Sequence, residues 1–300
     1  MRGLLLAALA LTAISASACG ASAPHRVGVS TSRSDEALPE TLRTPDPSGL
    51  YEADAMVLEA DEGPMLCLGG VLLSLPPQCG DLPIANWDWD SVEGEESRAG
   101  VTWGNFHVVG RLDGEAFTVT EVGPYDPGGQ EFGSNPDFKA PCPEPDGGWV
   151  VPDPAHNTQE ETRRAHAYAR AQPDYVISWN DHLDDELQEF SPVVLVAVFT
   201  GDADRHEAEI RRVWDGPLCV VRREGHTAKE LAAIRREAER WLQEELGLRM
   251  IWSQEGPLGQ GAAEVGVIVD PGGAAQAALD ERYGPGMVRL FPALRPVEEF

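Results

Sequence analysis

The stretch His226–Leu248, HTAKELAAIRREAERWLQEELGL, constrains this chain more than any other. Leu231, Ile234, Ala238, Trp241 and Leu242 recur at three- and four-residue spacing, which lines them along one side of a helix. Lys229, Arg235, Arg236, Glu239 and Glu244 fall mostly elsewhere. Thr227 with Glu230 three residues on has the form of a capping box, and Gly247 supplies the left-handed residue that ends many helices. Such a rod is roughly 30 Å long. Its large apolar side chains gain about 1.5–3 kcal/mol each only if a sheet covers them. The flanks supply strands: Leu218–Arg222 before it, Arg249–Gln254 and Ala263–Asp270 after it, then a second helix at Ala274–Tyr283 and a last strand at Met287–Phe291. The element order is βαββαβ.

That order is the split-βαβ, ferredoxin-like arrangement. Upstream, Pro192–Thr200 is continuous apolar sequence of strand length, which suits a strand covered on both faces. Asp202–Trp214 follows as a helix, and Thr158–Gln172 reads as another, opening on the capping box Thr158 with Glu161. Residues 156–300 are therefore expected to form an enlarged α+β, ferredoxin-like domain. Residues 51–123 read as β structure. Ala55–Ala60 and Met65–Leu73 are separated by the turn-like Asp61-Glu62-Gly63-Pro64, and Phe106–Val122 carries a hairpin signal at Asp113-Gly114. Counting back from that turn pairs Leu112 with Glu115, Gly110 with Phe117 and Val108 with Val119. A small antiparallel barrel-like domain is expected, an OB-like barrel being one topology open to four or five short strands. Residues 124–155 are rich in Pro and Gly and longer than ordinary connections, and read as an inter-domain linker fastened by Cys142.

Leu4–Ile14 is an apolar run too short for a bilayer span, placed after Arg2 and before small residues, so residues 1–18 read as a secretory signal peptide. Ala16-Ser17-Ala18-Cys19-Gly20 resembles the lipobox of bacterial lipoproteins, in which the cysteine becomes the lipidated first residue. Ala16-x-Ala18 also suits ordinary signal peptidase, which leaves plain secretion as the alternative. Residues 19–50, rich in Ser, Thr, Pro and Ala, read as a disordered tether. The chain has 23 basic and 50 acidic side chains and a net charge of −27. Such a balance excludes nucleic acid as a partner, because phosphate binding needs clustered Lys and Arg. An anionic membrane surface repels it too, so a covalent lipid anchor is the natural attachment to the cell membrane. Cys67, Cys79, Cys142 and Cys219 then remain, an even number in an exported chain, with three pairings open; Cys67–Cys79 and Cys142–Cys219 are preferred.

No Gly-x-Ser-x-Gly nucleophile elbow and no phosphate-cradling glycine loop with a following Lys is present, and no metal or cofactor motif is legible. Asp88, Asp90, Glu93, Glu95 and Glu96 are dense enough to gather calcium but lack the glycine and terminal Glu of an EF-hand loop, so solvated loop acids explain them better. Asp202, Asp204, His206 and Glu207 sit where a helix begins and are read as caps and dipole partners rather than as metal ligands. His182, beside Asp181, Asp184 and Asp185, is a candidate general base, while His107 and His226 have ordinary structural readings. Trp87, Trp89 and Trp103 are candidates for a recognition patch, with core packing the simpler account.

CLGGVLLSLPPQCG at Cys67–Gly80, WGNFHVVGRLDGEAFTVTE at Trp103–Glu121, and GPLCV and RYGPGMV at Gly216–Val220 and Arg282–Val288 resemble a group of exported actinobacterial lipoproteins. The C-terminal βαββαβ also resembles propeptide and peptidase-inhibitor domains of secreted proteases, a likeness of shape that transfers no inhibitory residue. The expectation is a binding or interaction module outside the cell, for an exported protein or an envelope component. A protease-inhibitor or chaperone-like role is the alternative, and a hydrolase with an unrecognised site comes third.

Overall fold

The computed structural model describes residues 49–72, 74–129, 133–151, 153, 158–183 and 192–297. The leader, Cys19 and nearly all of the tether lie outside the described residues, as do Asp184 and Asp185. The protein is α+β, with three sheets among the described residues.

The first sheet is built by β1 (Tyr51–Ala60), β2 (Gly63–Cys67), β3 (Leu82–Pro83), β4 (Glu96–Arg98), β5 (Val101–Asp113) and β6 (Ala116–Pro124). Its path is β3-β2-β1-β5-β4, with β6 also on β5. The barrel expected here does not close among the described residues. An isolated bridge between Ile84 and Phe117 brings the chain after β3 against β6, but no ladder of hydrogen bonds follows from it. The β5–β6 hairpin turns on Gly114 and Glu115, Gly114 taking φ +57°, so Asp113 pairs with Ala116 and Leu112 with Phe117. The expected pairing was thus displaced by two residues, which preserves the face each side chain occupies. Phe117 still covers Gly110, now as a diagonal neighbour: a β-carbon there would stand 2.9 Å from its ring. A bulge between Val109 and Gly110 shifts the register of the remaining pairs.

Two further sheets share one plan. The first unit runs α1 (Gln159–Arg170), β7 (Tyr175–His182), β8 (Val193–Phe199), α2 (Ala203–Ile210) and β9 (Leu218–Arg222). The second runs α3 (Ala228–Glu244), β10 (Met250–Gln254), β11 (Ala263–Val267), α4 (Ala274–Tyr283) and β12 (Val288–Pro292). Each is αββαβ, with an antiparallel hairpin followed by a helical crossover to a parallel strand, in sheet orders β7-β8-β9 and β10-β11-β12. The agreement extends to details. Thr158 and Thr227 each cap the first helix with a complete capping box. Each first strand carries a register shift after its first residue, between Tyr175 and Ile177 and between Met250 and Trp252. Asp202 and Asp270, each three residues past the middle strand, accept amide hydrogen bonds from the helix that follows.

The single ferredoxin-like sheet expected from Leu218 onward is therefore divided between two sheets. β9 pairs in parallel with β8, which lies just one short helix upstream, and α3 then carries the chain to the next sheet. One apolar face of each small sheet holds its two helices. Leu195, Ala197, Phe199 and Trp214 pack with α1, and Leu242, Val265, Val267 and Leu279 pack between α3 and α4. The second unit also shares a core with the N-terminal sheet, where Ile268, Val269 and Leu294 join Leu66, Phe106 and Phe117. A last strand, β13 (Arg295–Pro296), pairs with the start of β1.

Candidate functional site

Described parts of the segment read as a linker lie against all three sheets, and three buried carboxylates fasten them. Asp54 on β1 accepts the Asp126 amide at 2.9 Å, Glu264 on β11 the Ser134 amide at 2.9 Å, and Asp181 on β7 the Ala140 amide at 2.9 Å. Their exposures are 4%, 0% and 8%, so each would be costly without those donors. Cationic and polar partners complete each clamp. Arg295 reaches Asp54 and the Gly129 carbonyl; Arg289, Gln254 and the Ser134 hydroxyl reach Glu264; Lys139 lies 3.2 Å from Asp181. Burial pushes the Glu264 carboxyl up, but the Ser134 donors, Gln254 and the Arg289 charge outweigh it and hold the group below its ordinary range. Cys142, bonded to Cys219 on β9, is the covalent fastening, and Ala140 and Trp149 pack with it over Val194, Val196 and Trp179.

The histidines are used inside this framework. His166 Nδ1 lies 2.7 Å from Ser178 Oγ, and its Nε2 lies 2.9 Å from Asn180 Oδ1. Burial lowers its pKa, so the ring is neutral near pH 7, donates from Nε2 to the Asn180 carbonyl oxygen and accepts the Ser178 hydroxyl at Nδ1. A serine, a base and an orienting group in line have the form of a hydrolytic triad. The second αββαβ unit shows what the position is: Arg235, Ser253 and Glu255 stand where His166, Ser178 and Asn180 do, with Arg235 3.9 Å from Glu255 and Ser253 hydrogen-bonded to Glu239. Both are polar seams between a helix and the edge strand beneath it. His206, expected with Asp202, Asp204 and Glu207 as part of a helix start, turns fully inward. It stacks on Phe199 at 3.8 Å, with Asp174 2.9 Å from Nε2 and the Tyr168 hydroxyl 3.0 Å from Nδ1. His107 Nδ1 lies 3.1 Å from Asp54, and His182 Nδ1 is buried with no hydrogen-bond partner among the described residues.

The tryptophans lie against the first sheet. Trp103 is 7% exposed beside Leu58 and Cys67, while Trp87 and Trp89 are half-buried and pack at a tilt against Phe106, with ring centres 5.1 and 6.2 Å away. Asp88 caps the short turn that follows it, and Glu93, Glu95 and Glu96 are exposed. No family model, curated protein or solved structure matches the chain.

The segment after β2 faces outward with apolar side chains. β2 ends at Cys67, earlier than the strand expected through Leu73, and a disulfide to Cys79 closes the intervening loop. Its base is fixed: Asp81 accepts the amides of Leu68 and Gly69 at 2.7 and 2.8 Å, and Leu68 is fully buried. Its limbs are crossed by hydrogen bonds from the Leu72 amide to the Gln78 carbonyl at 3.1 Å, from Ser74 Oγ to the Pro76 carbonyl at 2.8 Å and from Gln78 Nε2 to Ser74 Oγ at 3.2 Å. Leu72 and Leu75 are nevertheless 65% and 61% exposed. Beside them lies a concavity of about 510 Å³ lined by Gly69–Leu72, Gln78 and Cys79. The Cys67–Cys79 pairing was expected from the sequence, whereas the outward-facing leucines between the two cysteines were not, because part of that run reads as a strand.

Proposed function

We propose that the protein is an extracytoplasmic binding module, anchored to the membrane by acylated Cys19, that engages an exported protein or envelope component through the outward end of the Cys67–Cys79 loop. The observation that carries this reading is the combination of a fixed base and exposed leucines. An apolar side chain held in water by a rigid support forgoes burial worth about 1.5–3 kcal/mol, and a partner that covers Leu72 and Leu75 recovers it. The disulfides suit an oxidising compartment, where such a loop stays closed. The acidic body discourages contact with nucleic acid and anionic lipid, and the uncharged loop is a surface on which apolar contact is favoured.

The test is photo-crosslinking in the native cells, with the photoreactive residue placed at Leu72, at Leu75, or at the exposed helix position Arg236 as control. The reading expects one shared product from both loop positions that is missing from the control. Identical products from all three positions, or none from the loop, would reject it.

A further inference from the structure

We propose that the outer edge of β9 docks a second copy of this chain, the two β9 strands pairing antiparallel about a twofold axis at Val220. In the ladder with β8, the Leu195 amide donates to the Pro217 carbonyl and the Arg223 amide to the Phe199 carbonyl. Odd-numbered residues of β9 therefore face β8, and the amides and carbonyls of Leu218, Val220 and Arg222 point away from the sheet. Among the described residues no further strand pairs there and no hydrogen bond reaches those groups. A row of free main-chain donors and acceptors is a template for another strand.

The second αββαβ unit shows the same edge closed. β8 and β9 pair from Leu195–Leu218 to Phe199–Arg222, and β11 and β12 from Ala263–Val288 to Val267–Pro292. Val288, Leu290 and Pro292 thus take the places of Leu218, Val220 and Arg222. There the Gln276 side chain from α4 imitates a neighbouring strand: Nε2 donates to the Val288 carbonyl at 3.0 Å and Oε1 accepts the Leu290 amide at 2.7 Å. Pro292 has no amide hydrogen to offer. In the first unit Glu207 takes the place of Gln276, each following a fully buried helix residue, His206 or Ala275. A carboxylate has no hydrogen to give the Leu218 carbonyl, and Glu207 turns to Arg211, 3.9 Å away. β9 lacks both devices that close its counterpart.

The edge is complementary to itself. With the axis at Val220, that residue lies opposite its own copy and Leu218 opposite Arg222, so each pair exchanges both main-chain hydrogen bonds. No like charges come face to face across the strands. The joined sheet runs β7-β8-β9-β9-β8-β7, and α2, which lies against β9, comes beside its copy in the opposite direction. Its acids Asp204 and Glu207 precede its arginines Arg211 and Arg212, so the acidic start of each helix meets the basic end of the other. Arg211 already leans to this edge, its Nη1 donating to the Gly216 carbonyl at 2.6 Å. Residues 211–224 hold four arginines and two acids in a chain of net charge −27, which lowers the repulsion a second copy meets there. An extended segment of another protein would use the same amides, but the charge order along α2 fits the copy.

The experiment uses the full mature chain with both disulfides formed and Cys19→Ser, so that no acyl chain drives association. Sedimentation velocity from ~1 to ~200 μM should show a reversible passage from monomer to dimer. Val220→Pro and Arg222→Pro remove only outward amide hydrogens, which edge strands tolerate, and each should weaken the dimer at least ~10-fold. Arg222→Pro should also leave the unfolding curve of the monomer unchanged, since Pro292 holds the matching place in the second unit. Leu72→Asp, on the Cys67–Cys79 loop, should leave the dimer intact. Amide exchange at the two ends of the concentration range should show Val220 and Arg222 protected in the dimer. A monomer at every concentration, a dimer indifferent to both prolines, or a dimer whose Val220 and Arg222 amides exchange as fast as in the monomer would each overturn the proposal. A photoreactive residue at Arg222 that captures a different exported protein in cells, with the purified chain monomeric, would assign the edge to that protein's strand and reject self-pairing.

Discussion

Ser178 and Ser253 stand at one position in two copies of the same αββαβ unit, each the second residue after the register shift of its first strand. Ser178 meets a neutral histidine from α1, whereas Ser253 meets Glu239 on α3 beside Arg235. The chemistry differs and the place does not, which makes the His166 cluster a means of joining helix to sheet. Ser178→Ala should therefore destabilise the fold by about 1–3 kcal/mol, since it strips a buried acceptor of its donor. The exposed Ser253→Ala should cost less than ~1 kcal/mol. Urea denaturation of the two variants makes the comparison.

The same histidine gives a pH dependence. Its folded-state pKa lies below its ordinary value of 6.5 because burial disfavours the imidazolium. The unfolded chain therefore binds the extra proton first, and stability falls as pH drops below about 6.5 toward the folded value. Glu264 and Asp174, both held below their ordinary values, add losses only at lower pH, below about 4.5 and 4. Thermal unfolding from pH 7.5 to 5 should show a decline that His166→Gln reduces.

Glu264 is the clamp with the most to lose. Glu264→Gln leaves Arg289 without its counter-charge and places amide hydrogens against other donors, at an expected cost of about 2–4 kcal/mol. The strap should open locally as well, so limited proteolysis should cut within residues 133–149 faster in the variant than in the parent.

The two disulfides differ in what they close. Cys67–Cys79 spans 12 residues and Cys142–Cys219 spans 77, which in the chain-entropy model corresponds to about 3 and 4.5 kcal/mol. Replacing Cys142 and Cys219 together by alanine should lower the denaturation midpoint more than replacing Cys67 and Cys79, and guanidinium titration of the two double variants measures the difference.

Local signals were legible where one residue class served one purpose. α3 begins at the expected Thr227 cap and the chain leaves it at Gly247, with φ +65°; α4 spans the expected Ala274–Tyr283, and β12 lies within a residue of the expected strand. β8 is buried along its whole length, as its unbroken apolar run implied. β7 was not legible, because Ser178, Asn180 and Asp181 look like a polar loop until their buried partners are known. Sheet membership was also hidden, since β9 and β10 each carry strand-like sequence and nothing local says that they belong to different sheets. The strap looked like a linker for the same reason: Asp54, Asp181 and Glu264, the acids that bind it, lie far away in the chain.

The proposed binding role requires a disulfide-braced body held outside the cell. Mass analysis of the protein isolated from its own membranes, with peptides mapped without reduction, tests this most directly. A mature chain beginning at a diacylglyceryl-modified Cys19, with Cys67 joined to Cys79 and Cys142 to Cys219, is the predicted result. A chain retaining its leader, with an unmodified Cys19 and four free thiols, would contradict it.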